Sequence, residues 1–434
     1  MFVHVVKAGE SLFSIAKLYG GTAEHIRSAN ELNGDRLVPG MSLLIPAGPK
    51  STLKLHIIKE GDTLDTLSME TGIPPHIILA VNDKLDDRKW IPGESLWIPS
   101  RVRPDKTIQV NAFMIPSGKQ TDTEIIEDAA DCLTYVSLFN SRVYPDGTLS
   151  EMPDEAVVLS LKREKVAPLL TVTNFDGSRF NPDLARTVIK HPELKRRAVH
   201  NILRTVMEKR YAGINIDFEH LYPEDREPFT AFVRGLADEA KLQNVPLTVT
   251  MGPKMSDDPR NPWMGAFDYR ALGQMADQVI LMTFEWGWVG GPPMAVAPLN
   301  MVRSVLDYAT SQIPPDKIMM GMSLYGYNWP IPYEKGNRAA GISPKAAVEQ
   351  AIRTEVHIHF HKESASPMFT YRGSRNEMRQ IWFEDARSIL AKFHLVDVMG
   401  LRGISYWMLG HPFPQNWTLL HSTFHIAKRN FHLS

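Results

Sequence analysis

Eight short runs of the chain are apolar at nearly every position: "TIQVNAFMI" from Thr107, "LTYVSLF" from Leu133, "APLLTVTN" from Ala167, "AGINIDFE" from Ala212, "PLTVTMG" from Pro246, "QVILMTF" from Gln278, "KIMMGMSLYG" from Lys317 and "RGISYWML" from Arg402. Runs of this length, rich in β-branched residues and lacking polar alternation, read as strands covered on both faces. Between them lie longer stretches with helical periodicity, such as "PDLARTVIK", "RAVHNILRTVMEKR" and "REPFTAFVRGLADEAKLQ". Eight strand–helix units in succession predict a parallel (β/α)8 TIM barrel, of class α/β, over residues 104–434. The seventh connection, from about Asn328 to Ala386, is long enough to hold an insertion.

The opening hundred residues follow a different pattern, which repeats. "HVVKAGESLFSIAKLYG" from His4 aligns with "HIIKEGDTLDTLSMETG" from His56 at an offset of 52, and "LVPGMSLLIP" aligns with "WIPGESLWIP" at an offset of 53. Each copy starts as a strand and turns at Gly9-Glu10-Ser11 or Gly61-Asp62-Thr63. The hydroxyl of Ser11 or Thr63 is placed to cap the helix that follows. A second short helix reaches Asn30 or Asn82, and a closing strand ends at Pro46 or Pro99, so the unit is β-α-α-β. Both copies resemble LysM modules along nearly their whole length. The resemblance implies binding of N-acetylglucosamine-containing glycans in peptidoglycan or chitin, with Gly9, Asn30, Gly61 and Asn82 as candidate module positions. The alternative is a pair of spacers. The Pro, Gly and Ser of "PAGPKST" and "PSRVRPDK" mark linkers, dividing the chain into 1–48, 53–101 and 104–434.

Net charge is −1, so no basic field gathers nucleic acid or an anionic membrane. A single cysteine, Cys132, excludes an internal disulfide and a cysteine-based zinc site, and reads as a buried structural thiol. No apolar run reaches the roughly 18 residues of a bilayer span. The N-terminus lacks a basic region followed by an apolar one, so the expectation is a monomer synthesised in the cytoplasm without a signal peptide. Gly-rich phosphate loops and the G-x-S-x-G elbow are absent, and no cofactor is expected. "VHIHFH" sets His357, His359 and His361 on one face of a possible strand, geometry that suits zinc, but no acidic ligand follows at regular spacing. A polar strand face is the reading preferred, and no metal is expected.

The run "AGINIDFE" poses the chemical question, because it places two carboxylates in an apolar strand. With a period of two, Ile214, Ile216 and Phe218 share one face, and Gly213, Asn215, Asp217 and Glu219 the other. The apolar set should meet the helices, and the polar set should climb the barrel interior to its C-terminal mouth, where barrel enzymes hold their chemistry. Two carboxylates whose Cα atoms lie about 6.5–7 Å apart resist joint ionisation, so one pKa should rise, as a general acid at neutral pH requires. The competing reading is a buried salt bridge to a neighbouring strand.

"AGINIDFE" resembles the fourth-strand signature of family 18 glycoside hydrolases, Asp-Gly-x-Asp-x-Asp-x-Glu. The resemblance implies that Glu219 protonates the leaving oxygen and later activates water, while Asp217 orients the substrate acetamido group, whose carbonyl is the nucleophile. The first two aspartates of the signature are Ala212 and Asn215 here; Asn215 can still hydrogen-bond Asp217 but cannot share a proton with it. "LMTFEWGW" resembles the family's Met-x-Tyr-Asp segment, with Phe284 in place of the tyrosine and Glu285 in place of the aspartate. By alternation Met282, Phe284 and Trp286 share a face. Loss of the tyrosine hydroxyl argues for weakened catalysis unless Tyr325, Tyr327 or Tyr406 supplies one. Glu285 either bonds sugar hydroxyls or holds its loop. Trp407 matches the family's last-strand tryptophan under the cleaved sugar, and Trp286, Trp288 and Trp329 follow strand ends as stacking candidates or core residues.

Two LysM modules ahead of such a barrel resemble the cortical fragment-lytic enzymes of endospore-forming bacilli. That resemblance implies a retaining N-acetylglucosaminidase acting on cortex peptidoglycan during germination and deposited on the spore. The alternatives are a chitinase with the same machinery and a peptidoglycan-binding spore-coat lectin with a weakened site.

Overall fold

Phe218 shows how the barrel is organised: its ring stacks on Phe232 and Phe229 of a flanking helix at 5.6 and 6.0 Å, while its strand neighbour Asp217 points the other way, into the lumen. The computed structural model describes residues 2–46, 52–71, 78, 79, 82, 90–100 and 106–428. Eight parallel strands form the barrel: β1 (Thr107–Met114), β2 (Tyr135–Arg142), β3 (Ala167–Thr173), β4 (Gly213–Asp217), β5 (Leu247–Met251), β6 (Gln278–Leu281), β7 (Ile318–Ser323) and β8 (Gly403–Trp407). Each pairs with the next, and β8 closes on β1 from Gly403↔Gln109 to Tyr406↔Ala112. Every predicted strand is present, and the fold is the predicted TIM barrel. A short strand, His425–Ile426, extends the sheet beside β1.

Helices cover the outside. Ile214, Ile216 and Phe218 belong to one continuous apolar core with the inward faces of the helices Pro192–Glu208 and Arg226–Leu242. Their amphipathic stripes fix the packing. The helix Pro182–Lys190 starts sharply because Asn181 caps it and proline takes the first turn. The lumen is filled rather than open. A polar belt joins Asn111 to Ser137 and Ser405, Asn215 to Thr250, and Gln278 to Thr248, each at 2.8–2.9 Å. Phe113, Phe139, Ile280 and Met319 form a separate apolar cluster, with Phe180 and Trp407 packed against it.

The seventh connection does hold an insertion. Its five-stranded antiparallel sheet runs in the order Ala340–Ile342, Gly326–Ile331, Met378–Trp382, Ser366–Arg372, His359–His361, with a helix at Pro344–Thr354.

In the first module, strands Phe2–Val5 and Ser42–Ile45 pair antiparallel around helices Leu12–Tyr19 and Ala23–Ala29. Ser11 caps the first helix in a reciprocal box with Ser14, as its sequence position predicts. In the second module, Thr52–Ile57 pairs with Ser95–Ser100 and a helix spans Leu64–Thr71. Most of the segment predicted as its second helix, residues 47–51 and 101–105 of the linkers, and the boundaries assigned at 48, 101 and 104 lie outside the described residues, while residue 53 falls in the strand Thr52–Ile57. The βααβ-like character of the modules agrees with prediction.

The separateness implied by the linkers does not hold for the first module. Its Leu12, Ile15, Met41 and Leu43 form one apolar cluster with Ala351, Ile358, Phe369 and Phe383 of the insertion. Ile358 N–H donates to the Pro39 carbonyl, and Arg387 donates to the Gly40 carbonyl. A module this small buries too little apolar surface alone, and the insertion completes its core. Among the described residues no helix is long and apolar enough to cross a membrane.

Candidate active site

Strand β4 stops at Asp217, and the chain then delivers Glu219 to the mouth of the barrel. Asp217 is 2% exposed, whereas the Glu219 side chain keeps 22% of its surface towards the opening. Burial raises the Asp217 pKa to about 7. Glu219 is held well above the usual carboxylate range by burial first, then by the charges of Asp217 and Glu285. No lysine or arginine pairs with either group among the described residues, against the salt-bridge reading. The nearest cation-forming group is His220, with Nε2 3.9 Å from Glu219 Oε2, and burial lowers its pKa, which favours the neutral ring. A carboxyl whose pKa is raised in this way, beside a second buried acid, is equipped to donate a proton.

Asn215 makes no bond to Asp217. Its Oδ1 accepts from Thr250 Oγ1 at 2.9 Å, while its Nδ2 and the Asp217 Oδ1 are buried without protein partners. Thr250 on β5, two residues beyond the Thr248 that pairs with Asn215 in register, reaches back to take the acceptor that strand periodicity alone cannot assign.

Glu285 sits just beyond β6 in a left-handed conformation, φ +68°. Its Oε1 accepts the hydroxyls of Tyr325 and Tyr327, the latter at 2.9 Å. Although it presents surface to the mouth, burial of its carboxylate raises its pKa against the lowering effect of both hydroxyls. The predicted alternation of Met282, Phe284 and Trp286 has no strand to run on, because β6 ends at Leu281. There the Thr283 hydroxyl bonds the Gly321 carbonyl of β7 at 2.7 Å and the chain turns. Phe284 and Trp286 are partly buried against the main core, and Met282 is partly exposed. Tyr406 is not a spare hydroxyl: it is fully buried and donates to Asn416 Oδ1 at 3.0 Å.

Trp407 ends β8 against Phe139 (5.1 Å, 89°) and Phe113 (5.3 Å, 55°). From there an aromatic wall climbs through Phe180 to His220, stacked at 6.1 Å, and on to Trp263, in edge contact with His220 at 4.8 Å. Trp263 and Trp288 are 56% and 50% exposed, whereas Trp329 is fully buried with its indole N–H on the Gly291 carbonyl. Phe139, Phe180, His220, Trp263 and Asn174 were missed by sequence reasoning. Only His220, next to Glu219, and Asn174, the polar end of an apolar run, carried any signal.

In the modules, Gly9 and Gly61 hold left-handed turns, φ +83° and +90°. Asn30 and Asn82 are structural staples rather than exposed ligand groups. Each side chain bridges the end of the second helix to the closing strand: Asn30 to Ile26 and Leu44, Asn82 to Ile78 and Trp97. The rings of His357 and His359 lie 4.5 Å apart, tilted by 32°, and His361 bonds Ser364; among the described residues no acidic, His or Cys cluster suits a metal. Two concavities, of about 360 and 590 Å³, are lined by residues other than Asp217 and Glu219, one beside the first module and one between outer helices. The titrating pair, not cavity size, identifies the site.

Residues 168–411 match glycosyl hydrolases family 18, and residues 4–46 and 56–99 match the LysM domain. The cortical fragment-lytic enzyme of Bacillus subtilis (strain 168) is 35% identical, over 99% of this chain and 100% of that protein. The crystal structure of the Bacillus cereus spore cortex-lytic enzyme SleL superposes with a TM-score of 0.85 at 34% identity, covering 98% of each chain. That of the Bacillus megaterium QM B1551 enzyme gives 0.84 at 35% identity, covering 99% of each. With two LysM domains ahead of a barrel that carries a pair of acids at its mouth, the chain belongs to glycosyl hydrolases family 18 and is a glycoside hydrolase.

Proposed function

We propose that the chain hydrolyses N-acetylglucosaminyl bonds in peptidoglycan, with spore cortex fragments as its substrate and germination as its setting. The observation that carries this reading is the Asp217–Glu219 pair at the barrel mouth: Asp217 is buried and raised in pKa by that burial, Glu219 is raised by burial and by the charges of Asp217 and Glu285, and neither pairs with a lysine or arginine among the described residues. Glu219, its pKa held well above the usual carboxylate range, gives its proton to the glycosidic oxygen as the bond to the anomeric carbon breaks. The carbonyl oxygen of the substrate's own acetamido group closes on that carbon, giving a cyclic oxazolinium ion. Asp217 takes the acetamido N–H and stabilises the positive charge. Water then attacks from the vacated side, Glu219 takes its proton, and the anomeric configuration is retained. Trp407 floors the cleaved sugar, with Phe284 and Trp286 behind it. Tyr325 and Glu285 bond its polar edge, and Met282 and Asn215 complete the surroundings.

The cortex assignment rests on relatives that bear the cortical fragment-lytic name and match the chain end to end. The LysM domains suit retention on peptidoglycan, with the protein deposited on the spore. Phe284, where the family has tyrosine, favours the competing reading of a glycan-binding lectin with a weak site.

The test is digestion of purified cortex fragments with product mass spectrometry. New reducing ends at N-acetylglucosamine from wild type, and a loss of about 10²–10⁴-fold in Glu219→Gln, support hydrolysis by this acid. Binding without product supports the lectin. Faster turnover of chitin oligomers than of cortex fragments makes the protein a chitinase.

A further inference from the structure

We infer that Asn174 is a positioning residue, a side-chain clamp that holds the backbone of Glu219 and thereby aims its carboxyl at the glycosidic oxygen. Register pairing between β3 and β4 ends at Thr173↔Asp217. Beyond it, the Glu219 N–H and C=O have left the ladder and would be orphaned close to the barrel interior. Asn174, 0% exposed, supplies both missing partners: its Oδ1 accepts the Glu219 N–H at 2.9 Å and its Nδ2 donates to the Glu219 carbonyl at 2.8 Å. A primary amide is the one side-chain group, shared with glutamine, that offers donor and acceptor side by side. It copies the pairing a strand residue would give while leaving the Glu219 side chain unused.

The same amide is tied on its other side. Its Nδ2 also donates to the Asn181 carbonyl at 3.0 Å, and the Asn181 N–H returns a bond to the Asn174 carbonyl at 2.9 Å. Asn181 caps the following helix through its Oδ1. The loop between the two asparagines is pinched by a bridge between Phe175 and Phe180, and Phe180 is a member of the aromatic wall beside His220. Asn174 therefore fixes the acid relative to the wall against which the sugar lies. Immediately after Glu219 the chain turns through the left-handed His220, φ +55°, so no further strand pairing restrains it. A displacement of about 1 Å at a reacting group can cost about 10²-fold in rate.

The inference rests on Glu219 being the acid, and the experiment keeps the two claims apart. Full-length wild type, Glu219→Gln, Asn174→Ala and Asn174→Asp are compared on soluble cortex fragments across pH, with thermal unfolding of each. Asn174→Ala should lose about 10²-fold in kcat with KM within about threefold, because aim is lost and ground-state contacts are not. Asn174→Asp, nearly isosteric, keeps the acceptor for the Glu219 N–H, loses the donors and adds a negative charge beside the acid. Its alkaline limb should therefore move to higher pH than that of Asn174→Ala. Should the alanine variant not fold, the limb shift of the aspartate variant relative to wild type decides. Wild-type kcat in Asn174→Ala, or an Asn174→Asp limb that coincides with wild type, overturns the clamp. Full activity in Glu219→Gln instead overturns the assignment of the acid.

Discussion

Glu285 Oε1 accepts the Tyr327 hydroxyl at 2.9 Å, joining the loop after β6 to the first strand of the insertion. The same oxygen takes the Tyr325 hydroxyl, and its charge is one of the causes that raise Glu219. The insertion therefore takes part in the electrostatics of the acid.

Neutralising Glu285 should lower the Glu219 pKa, since a like charge is removed while burial and Asp217 remain. The alkaline limb of kcat/KM should move to lower pH in Glu285→Gln, which retains an oxygen for both tyrosines. Tyr325→Phe should move it the same way by less: loss of that hydroxyl raises the Glu285 pKa and reduces its charge near neutrality. A pH–rate series on the two variants checks this; an upward or absent shift in Glu285→Gln contradicts it.

Asp217 should trade stability for activity. Its folded pKa, about 7, lies above its unfolded value, so the folded state binds the extra proton between roughly pH 4 and 7. Its contribution is favourable at low pH and is lost as pH rises through 7, where a buried charge is forced. Asp217→Asn should match wild-type stability near pH 3.5 and exceed it at pH 8, by about 2 °C or more in Tm, while losing about 10²–10³-fold in kcat. Calorimetry at the two pH values tests the sign.

Asn215→Asp should place a third ionisable group beside two that already resist ionisation. The acceptor for Thr250 is preserved, so the change is largely one of charge. Both limbs of the pH–rate profile should move to higher pH. Profiles that superimpose would show that the asparagine is electrically silent.

Gly40 marks the seam between the first module and the insertion. It holds φ +81°, and a Cβ there would lie 1.8 Å from the Ile358 carbonyl oxygen. Gly40→Ala should destabilise the protein by about 1–3 kcal/mol and loosen the seam. Deleting residues 1–46 should do more, baring Ile358, Phe369 and Phe383 and lowering turnover of soluble fragments along with Tm. Denaturant unfolding of the point variant, and activity of the truncation on soluble fragments, are the measurements. A truncation that keeps wild-type turnover and Tm would mean the shared core contributes nothing to the barrel.

The amino-acid sequence by itself determined everything governed by neighbours along the chain. Period two in "AGINIDFE" sent Asp217 inward and Phe218 outward, the doubled pattern of the front hundred residues marked two modules, and eight apolar runs specified a barrel. These hold because side-chain direction within one element follows from backbone geometry alone. Only the tertiary structure decided partners that closure of the sheet brings together. Past the end of β6 at Leu281, Thr283 donates to the Gly321 carbonyl of the adjacent strand, and Asn215 Oδ1 is taken by the Thr250 hydroxyl rather than by Asp217. Asn30 is consumed by Leu44 and Gln415, and Asn174 holds Glu219 across two strands. Such choices are settled by competition among all the buried donors and acceptors that meet in space, and no local period encodes who those competitors are.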